Sequence, residues 1–345
     1  MRLLLATDAW APQVNGVVVS IRNTLECLRK AGHEVALIEP GQFRSMPCPT
    51  YPEIRLALRP ARGVSDAIEA FAPHAIHIAT EGPLGLAARR YCVRNGRPFT
   101  TAYHTQFPRY VRARIAVPVG LTYRWLRWFH GPSSAVMTAT PAMREELGQW
   151  GFRNVVHWGR GVDTALFRPG PRAVQSYPQP VFLYVGRVSV EKNIDAFLSL
   201  DLPGTKLVVG DGPDRMRLQR KFPDVVFAGA KHGTELAAFY QMADVFVFPS
   251  LTDTFGLVLA EAMACGTPVA AFPVTGPIDV VTDKRAGVLD ADLRWACLAA
   301  LTLDRGDVAR FGRTFSWETA TREFLWHMKQ SAIPRALKRP ASATA

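Results

Sequence analysis

The sequence is poor in cysteine and has no long apolar run. Only five cysteines occur in 345 residues, none at a CxxC spacing, so neither a disulfide framework nor a cysteine-rich zinc site is expected, and a reducing compartment is favoured. The apolar start at residues 3–6 is followed by Asp8 and is too short for a signal peptide. No stretch is long enough to span a bilayer. These absences predict a cytoplasmic protein, either soluble or peripheral.

Acidic residues are scarce in one half of the chain. The net charge is +12, and residues 1–170 hold 21 Lys and Arg against 11 Asp and Glu, whereas residues 171–345 hold 20 against 18. Such an asymmetry favours a partner of opposite charge, which is a nucleic acid, an anionic membrane or an anionic substrate. An Arg-rich proteome explains the composition equally well without any partner.

Short apolar strands alternate with amphipathic helices along the chain. Strands are predicted at 2–7, 34–39, 54–58, 75–79, 98–103, 135–139, 181–185, 206–209, 225–228, 245–248 and 268–271. In the first half, helices are predicted at 17–29, 65–71, 84–94 and 142–150. This alternation is typical of an α/β fold with parallel sheets covered on both faces. Prolines between residues 168 and 180 predict a linker, and therefore two doubly wound domains with a site in the cleft between them.

Residues 248–268 carry the most information about function. A strand is expected to end near Pro249, a turn with Asp253 and Gly256 follows, and a helix is expected over 255–265. Free N–H groups at such a helix start suit a phosphate. Glu261 lies in an otherwise apolar helix and needs hydrogen-bond donors, which sugar hydroxyls supply. Taken alone, these residues equally allow Asp253 as an N-cap and Glu261 in a structural ion pair.

This segment resembles the E-x7-E signature of retaining glycosyltransferases of family 4. Asp253 stands at the first acidic position and Glu261 at the second, with seven residues between them; Asp in place of Glu shortens the reach of the first carboxylate. The variant at residues 252–256 resembles a subgroup acting on lipids, including mannosyl, sulfoquinovosyl and glucuronosyl transferases. The resemblance covers about residues 1–330. It implies the GT-B fold, in which two Rossmann-like doubly wound domains face each other across a cleft.

The resemblance also implies a division of the chain. An acceptor-side domain is expected at 1–172, with a returning helix at about 317–330. A donor-binding domain is expected at 173–316, and a disordered tail at 331–345. The donor would be a nucleotide-sugar co-substrate, and transfer would need no metal and no other cofactor.

Further motifs stand where the family places its donor-binding residues. Arg187 and Lys192 follow the first strand of the second domain, and the resemblance assigns them to the donor diphosphate. Two fixed cations can neutralise a departing diphosphate, although the spacing alone also fits two surface cations. The loop with Asn15 and Gly16 resembles the one that closes over the donor phosphate. It is not a GxGxxG fingerprint, which counts against a dinucleotide oxidoreductase.

The implied roles complete the candidate site. Glu261 would bind the nucleotide ribose, and His104 would face the donor sugar from the opposite domain. Asp253 and the backbone of Phe255, Gly256 and Leu257 would hold the transferred sugar. The subgroup resemblance implies GDP-mannose or a UDP-hexose such as UDP-glucose, UDP-galactose or UDP-glucuronate as the donor, and base selection is expected to depend on loops near residues 228–232.

A basic and aromatic stretch covers residues 109–114 and 123–130. Trp and Tyr favour the lipid interface, and Arg favours anionic headgroups; the alternative is an amphipathic helix whose aromatic face packs in the core. With the subgroup resemblance, this stretch predicts a membrane lipid acceptor, such as diacylglycerol or a glycolipid, and peripheral association with the anionic inner face of the cell membrane. No nucleic-acid motif is evident. Three alternatives stay open: a soluble or polysaccharide acceptor, a UDP-sugar 2-epimerase, and a basic binding protein without catalysis.

Overall fold

The computed structural model of the protein describes residues 1–13, 15–48, 51–104, 118–171 and 177–332, without the side chains of 51–53. Some expectations lie outside these residues. They concern Val14 in the donor loop, the basic residues 109–114 and residues 333–345 of the expected tail. Ser331 and Ala332 belong to the last helix.

The chain forms two compact units. Among the described residues, the first unit contains 1–104, 118–159 and 318–332, and the second contains 160–317. The change between them falls before residue 160 and not at the expected boundary after 172. The reason is that Val162 forms a parallel bridge with Ser316, and the ring of Phe167 packs edge-on against Tyr240. Residues 160–167 are thereby held in the second unit.

A parallel six-stranded sheet lies at the centre of the first unit, in the order β2-β1-β5-β6-β7-β8. Its strands are β1 (Arg2–Ala6), β2 (Glu34–Ile38), β5 (Ala75–Ile78), β6 (Thr100–Tyr103), β7 (Ala135–Thr138) and β8 (Val155–His157), and a separate hairpin contains β3 (Ser45–Cys48) and β4 (Tyr51–Ala57). Its helices are α1 (Gly16–Lys30), α2 (Ala61–Phe71), α3 (Pro83–Arg94), α4 (Val119–His130), α5 (Pro141–Gln149) and α13 (Trp317–Ala332).

The apolar run of β1 is buried on both faces because helices cover both sides of the sheet. Leu3 and Leu5 pack in one core with α1 and with Phe324 of α13. Leu4 and Ala6 point to the opposite side and pack in a second core with α2, α3 and α4. The alternation along one strand therefore decides which helices it contacts.

The second unit repeats this architecture around the sheet β11-β10-β9-β12-β13-β14, again parallel throughout. Its strands are β9 (Val181–Val185), β10 (Thr205–Val209), β11 (Val226–Gly229), β12 (Val245–Phe248), β13 (Val269–Ala271) and β14 (Gly287–Leu289). Its helices are α6 (Ile194–Leu198), α7 (Arg215–Lys221), α8 (Gly233–Met242), α9 (Leu257–Ala264), α10 (Pro277–Val280), α11 (Leu293–Ala300) and α12 (Arg305–Gly312).

The predicted pairing of one strand is wrong. Residues 54–58 were expected to join a parallel sheet, but β4 pairs antiparallel with β3. The sequence of β3, Ser-Met-Pro-Cys, has no apolar alternation that would have revealed it. The strands β8 and β14, of three residues each, were also not predicted from the sequence.

Each sheet has a point where the strand order reverses. In the first unit this switch point lies between β1 and β5, and in the second it lies between β9 and β12. Open α/β sheets bind ligands outside the carboxyl ends of the strands at such points. The loops after these four strands are therefore the places to look for a site.

Candidate functional site

The loops after β9 and β12 are joined at the switch point of the second unit. The side-chain amide of Asn193 donates to the Pro249 carbonyl at 3.1 Å, and the Thr252 hydroxyl donates to the Glu191 carbonyl at 3.4 Å. Asn193 has a φ of 52°, a left-handed conformation that Asn tolerates better than most residues. These contacts fix the two loops against each other.

Lys192 and Asp253 meet between these loops. The Lys192 ammonium donates to Asp253 Oδ1 at 2.5 Å, and the two side chains are only 20% and 18% exposed. Shielding from water strengthens such a pair relative to an ion pair on the surface. Arg187 follows β9 at the same end of the sheet and is half-buried, and the Tyr184 hydroxyl donates to its carbonyl oxygen at 2.8 Å. The structure thus brings the Lys192 ammonium and the Asp253 carboxylate into contact, and the part of Arg187 in this site stays a prediction.

Helix α9 begins two residues later than expected, at Leu257. Gly256 precedes it with a φ of 79°, and Phe255 is buried with its ring edge-on to Phe315. Gly256 has no side chain with which to cap the helix, and its carbonyl accepts from the Leu259 N–H at 2.9 Å. The expected backbone contacts at Phe255, Gly256 and Leu257 stay a prediction.

Glu261 lies within α9 and is partly buried. Its Oε2 accepts a hydrogen bond from the Tyr240 hydroxyl at 2.9 Å. This hydrogen-bond partner of Glu261 is a neutral hydroxyl and not the cation of a structural ion pair. Burial raises the pKa of Glu261 to about 7, and the Tyr240 hydrogen bond lowers it only in part. Tyr240 had no signal in the sequence, because it lies on α8, a separate helix that reaches Glu261 only in the fold.

In the first unit, Asn15 caps helix α1. Its Oδ1 accepts from the N–H groups of Val17 and Val18 at 3.0 and 3.1 Å, and its amide donates to the Gln13 side chain at 3.1 Å. Gly16 is the first residue of the helix and is exposed. The expected contact of this loop with the donor phosphate stays a prediction.

His104 follows β6 and is half-buried. Its ring lies edge-on to Trp158, with the ring centroids 5.7 Å apart. The structure thus divides the expected site residues between the units. Asn15, Gly16 and His104 belong to the first unit, and the others belong to the second.

Several polar residues at the first unit's switch point were not singled out from the sequence. Asp8 follows β1 and accepts from the N–H groups of Leu84 and Gly85 and from the Thr80 hydroxyl at 2.9 to 3.2 Å. Burial raises the pKa of Asp8 against these hydrogen bonds. Asp8 therefore anchors the start of α3. Its position directly after a buried strand was the available signal.

Two further properties concern the described residues. They contain no cluster of three or more His, Cys, Asp or Glu side chains that could hold a metal ion. No helix within them combines the length and the apolar character needed to cross a bilayer.

Comparison with known proteins agrees with this geometry. Residues 14–166 match the family model Glycosyltransferase Family 4, and residues 179–302 match the model Glycosyl transferases group 1. A GDP-mannose-dependent alpha-mannosyltransferase of Mycobacterium tuberculosis is 33% identical over 84% of this chain and 83% of that protein. An alpha-monoglucosyldiacylglycerol synthase of Streptococcus pneumoniae is 29% identical over 87% of this chain and 78% of that protein.

The fold is also shared with solved structures. The sucrose-phosphate synthase of Thermosynechococcus elongatus superposes with a TM-score of 0.74 at 22% identity, over 95% of this chain and 98% of the other. This likeness shows the architecture, and the family models and the mycobacterial relative show the family. The chain therefore belongs to glycosyltransferase family 4, has the GT-B fold and is a glycosyltransferase.

Proposed function

We propose that the protein transfers an α-mannosyl group from GDP-mannose to a membrane lipid or glycolipid, with retention of configuration. The mycobacterial relative is GDP-mannose-dependent by name and is similar over most of both chains. GDP-mannose is itself an α-glycoside, so an α-linked product means retention. The observation that carries the proposal is the shielded pair of Lys192 and Asp253 at the switch point of the second unit.

The pair suits the departure of a diphosphate. An ammonium is a multiple donor, so Lys192 can donate to a phosphate oxygen while it keeps its bond to Asp253. Asp253 thus orients Lys192, and Arg187 from the same loop supplies a second cation. As the bond from the sugar to the diphosphate breaks, negative charge develops on the leaving group and both cations stabilise it. Glu261 accepts from the ribose hydroxyls, and the acceptor attacks from the face that the diphosphate leaves.

The first experiment is a panel of radiolabelled donors, GDP-mannose, UDP-glucose, UDP-galactose and UDP-glucuronate, incubated with the protein and a bacterial lipid extract. We expect label from GDP-mannose alone to move into the organic phase as a new lipid. Label from a UDP-sugar would overturn the donor assignment. Consumption of GDP-mannose without labelled lipid would overturn the acceptor assignment.

A Lys192→Met variant tests the role of the ammonium. We expect kcat to fall by about 10²- to 10³-fold, the usual cost of removing one group that stabilises transition-state charge, while the fold is retained. Lys284→Met is the matched control, because Lys284 is exposed in the same unit. Turnover measured in lipid extract with GDP-mannose reports both. A Lys192→Met variant as active as the wild type would remove Lys192 from the leaving-group site.

Helix α4 supports a lipid acceptor. Leu121 and Trp128 are 57% and 53% exposed, and Arg124 and Arg127 are exposed beside them. On the other face of α4, Tyr123 and Phe129 are buried, so this face packs in the core, as the alternative interpretation of the stretch expected. One helix therefore combines an aromatic face in the core with an outer face of apolar and basic groups, a combination suited to an anionic membrane surface.

A double variant, Leu121→Glu with Arg124→Glu, tests this surface. We expect binding to vesicles of phosphatidylglycerol and phosphatidylcholine to weaken about tenfold or more, because each basic residue near an anionic membrane contributes about 1 kcal/mol. Co-sedimentation measures it, and Trp295→Glu is the control, since Trp295 is 54% exposed on α11 of the second unit. Equal loss in the control would show that α4 is not the membrane face.

A further inference from the structure

Three neighbouring strands of the second sheet each end in a glycine of positive φ. Gly186 follows β9, Gly210 follows β10 and Gly229 closes β11, with φ of 150°, 146° and 75°. The Gly186 N–H donates to the Val209 carbonyl at 3.0 Å, and the Gly210 N–H donates to the Gly229 carbonyl at 2.9 Å. These three residues, named here the glycine row, cross the carboxyl ends of β9, β10 and β11 without a side chain.

The glycine row is tightly constrained. A Cβ on Gly210 would lie 1.8 Å from the Gly186 carbonyl oxygen, so only glycine fits there. Two strand spacings, about 10 Å, separate β9 from β11, a distance of the order of a nucleoside's length. Arg187 directly follows the glycine at the β9 end. A nucleoside diphosphate that places its phosphates at Arg187 and its base over β11 would therefore lie along the glycine row.

Arg215 stands at the other end of the row. Its Nη1 and Nη2 lie 3.6 and 3.9 Å from the place that a Cβ on Gly229 would take, and the side chain is 28% exposed. Nη1 donates to Asp211 Oδ2 at 3.2 Å, while Asp211 Oδ1 accepts from the Gly212 N–H at 2.8 Å. Arg215 Nε is buried and has no hydrogen-bond partner among the described residues. Asp211 thus holds a guanidinium at the point where the glycine row ends.

We infer that Arg215 contacts the nucleobase of the donor and selects guanine over uracil, with Asp211 as its positioning residue. This assignment rests on the proposed function. A guanidinium only donates hydrogen bonds. Guanine offers two adjacent acceptors, O6 and N7, which match the fork of an arginine. Uracil has no two adjacent acceptors, because its O2 and O4 carbonyls flank an N3–H that would face a second donor. The base lies on the flat surface of the glycine row, and Arg215 recognises the edge of the base.

The test is a set of dissociation constants for GDP, UDP and 7-deaza-GDP, measured by isothermal titration calorimetry. For Arg215→Met we expect the affinity for GDP to fall about tenfold or more, the discrimination that one bidentate contact supplies, and the affinity for UDP to stay within about twofold. 7-Deaza-GDP lacks the N7 acceptor. The wild type should bind 7-deaza-GDP more weakly than GDP, whereas Arg215→Met should bind the two nucleotides with equal affinity. Arg220→Met is the control, because Arg220 is exposed on α7 and donates only to the Met216 carbonyl at 3.1 Å among the bonds shown.

The outcomes separate this assignment from the proposed function. Equal losses for GDP and UDP in Arg215→Met would place Arg215 on phosphate and overturn the base assignment, while leaving GDP-mannose as the donor. Unchanged GDP affinity would also overturn it. A wild type that binds neither nucleotide would overturn the proposed function together with the assignment. If Arg215→Met loses affinity for GDP alone, the base assignment is supported. If Arg215→Lys then restores the GDP affinity only in part, the contact is bidentate and does not depend on positive charge alone.

Discussion

Two carboxylates of α9 and the loop before it have opposite environments. Asp253 is paired with the Lys192 ammonium at 2.5 Å. Glu261 receives only the neutral hydroxyl of Tyr240 among the contacts shown. Burial raises the pKa of Glu261 and so disfavours its ionised form. The difference is decided by neighbours from other elements, which neither motif position specifies.

The raised pKa of Glu261 makes stability depend on pH. The pKa of its carboxyl rises from 4.5 to about 7 on folding. The native state therefore holds the proton more tightly than the unfolded chain does. Stability is therefore lost as the pH rises from about 4.5 to about 7, and the loss is complete above that window. Glu261→Gln removes the charge and keeps an acceptor for Tyr240. We expect it to stabilise the protein by about 2 kcal/mol at pH 8 and by much less at pH 5.

Urea unfolding at both pH values measures this difference. Asp224→Asn serves as the control, because Asp224 is exposed in the same unit and its replacement should change the free energy of unfolding by less than about 0.5 kcal/mol. A stabilisation by Glu261→Gln that is equal at pH 5 and pH 8 would contradict the linkage.

At the scale of single elements, arginines satisfy the carbonyl groups at helix ends. Arg305 donates to the carbonyls of Ala243 and Gln241 at 2.6 and 2.9 Å and to the Thr267 hydroxyl at 3.3 Å. The carbonyls lie at the carboxyl end of α8, where the helix itself provides no donors. Arg89 does the same for α4, with bonds to the carbonyls of Phe129 and Trp128. Both arginines therefore hold neighbouring helices together.

Replacing Arg305 by Met should destabilise the second unit. We expect a loss of about 2 to 3 kcal/mol, because half-buried carbonyls would lose charged donors, and thermal denaturation or urea titration can measure it. Arg310→Met is the matched control on the same helix. Arg310 is paired with Asp307, but its side chain is 65% exposed, so its removal should cost less than about 1 kcal/mol. Similar losses in both variants would argue against a capping role for Arg305.

At the scale of the whole molecule, the last described helix completes the core of the first unit. Phe324 and Met328 of α13 are fully buried with Leu3, Leu5 and the apolar face of α1. Glu323 accepts from the Gly159 N–H at 2.7 Å and lies 2.8 Å from His157 Nδ1. The chain thus leaves the first unit before residue 160 and returns to it at residue 318.

Phe324→Ala should consequently loosen residues far away in sequence. We expect a destabilisation of about 3 to 5 kcal/mol for a buried Phe, confined to the first unit. Hydrogen exchange followed by mass spectrometry should show faster exchange in peptides from β1 and α1 and unchanged exchange in peptides from β9 to β12. Trp326→Ala is the control, since Trp326 is 58% exposed on the same helix. Faster exchange in the second unit would contradict two separate cores.

The sequence by itself determined the α/β class, most strands and the family. Apolar runs such as Leu3 to Leu5 are long enough to predict buried parallel strands, and the spacing of Asp253 and Glu261 is a local property that needs no tertiary information. The positions of Arg187 and Lys192 after β9 followed in the same way, because a motif next to a strand end lies at the edge of the sheet.

Only the tertiary structure decided which residues meet. The bond between Lys192 and Asp253 depends on β9 and β12 being neighbours, and that adjacency follows from the strand order of the sheet. The antiparallel pairing of β4, the hydroxyl of Tyr240 on Glu261 and the place of Arg215 beside Gly229 arise in the same way. Periodicity and spacing report the environment within one element, whereas contacts between elements depend on how sheets and helices pack, and no local pattern in the sequence encodes that packing.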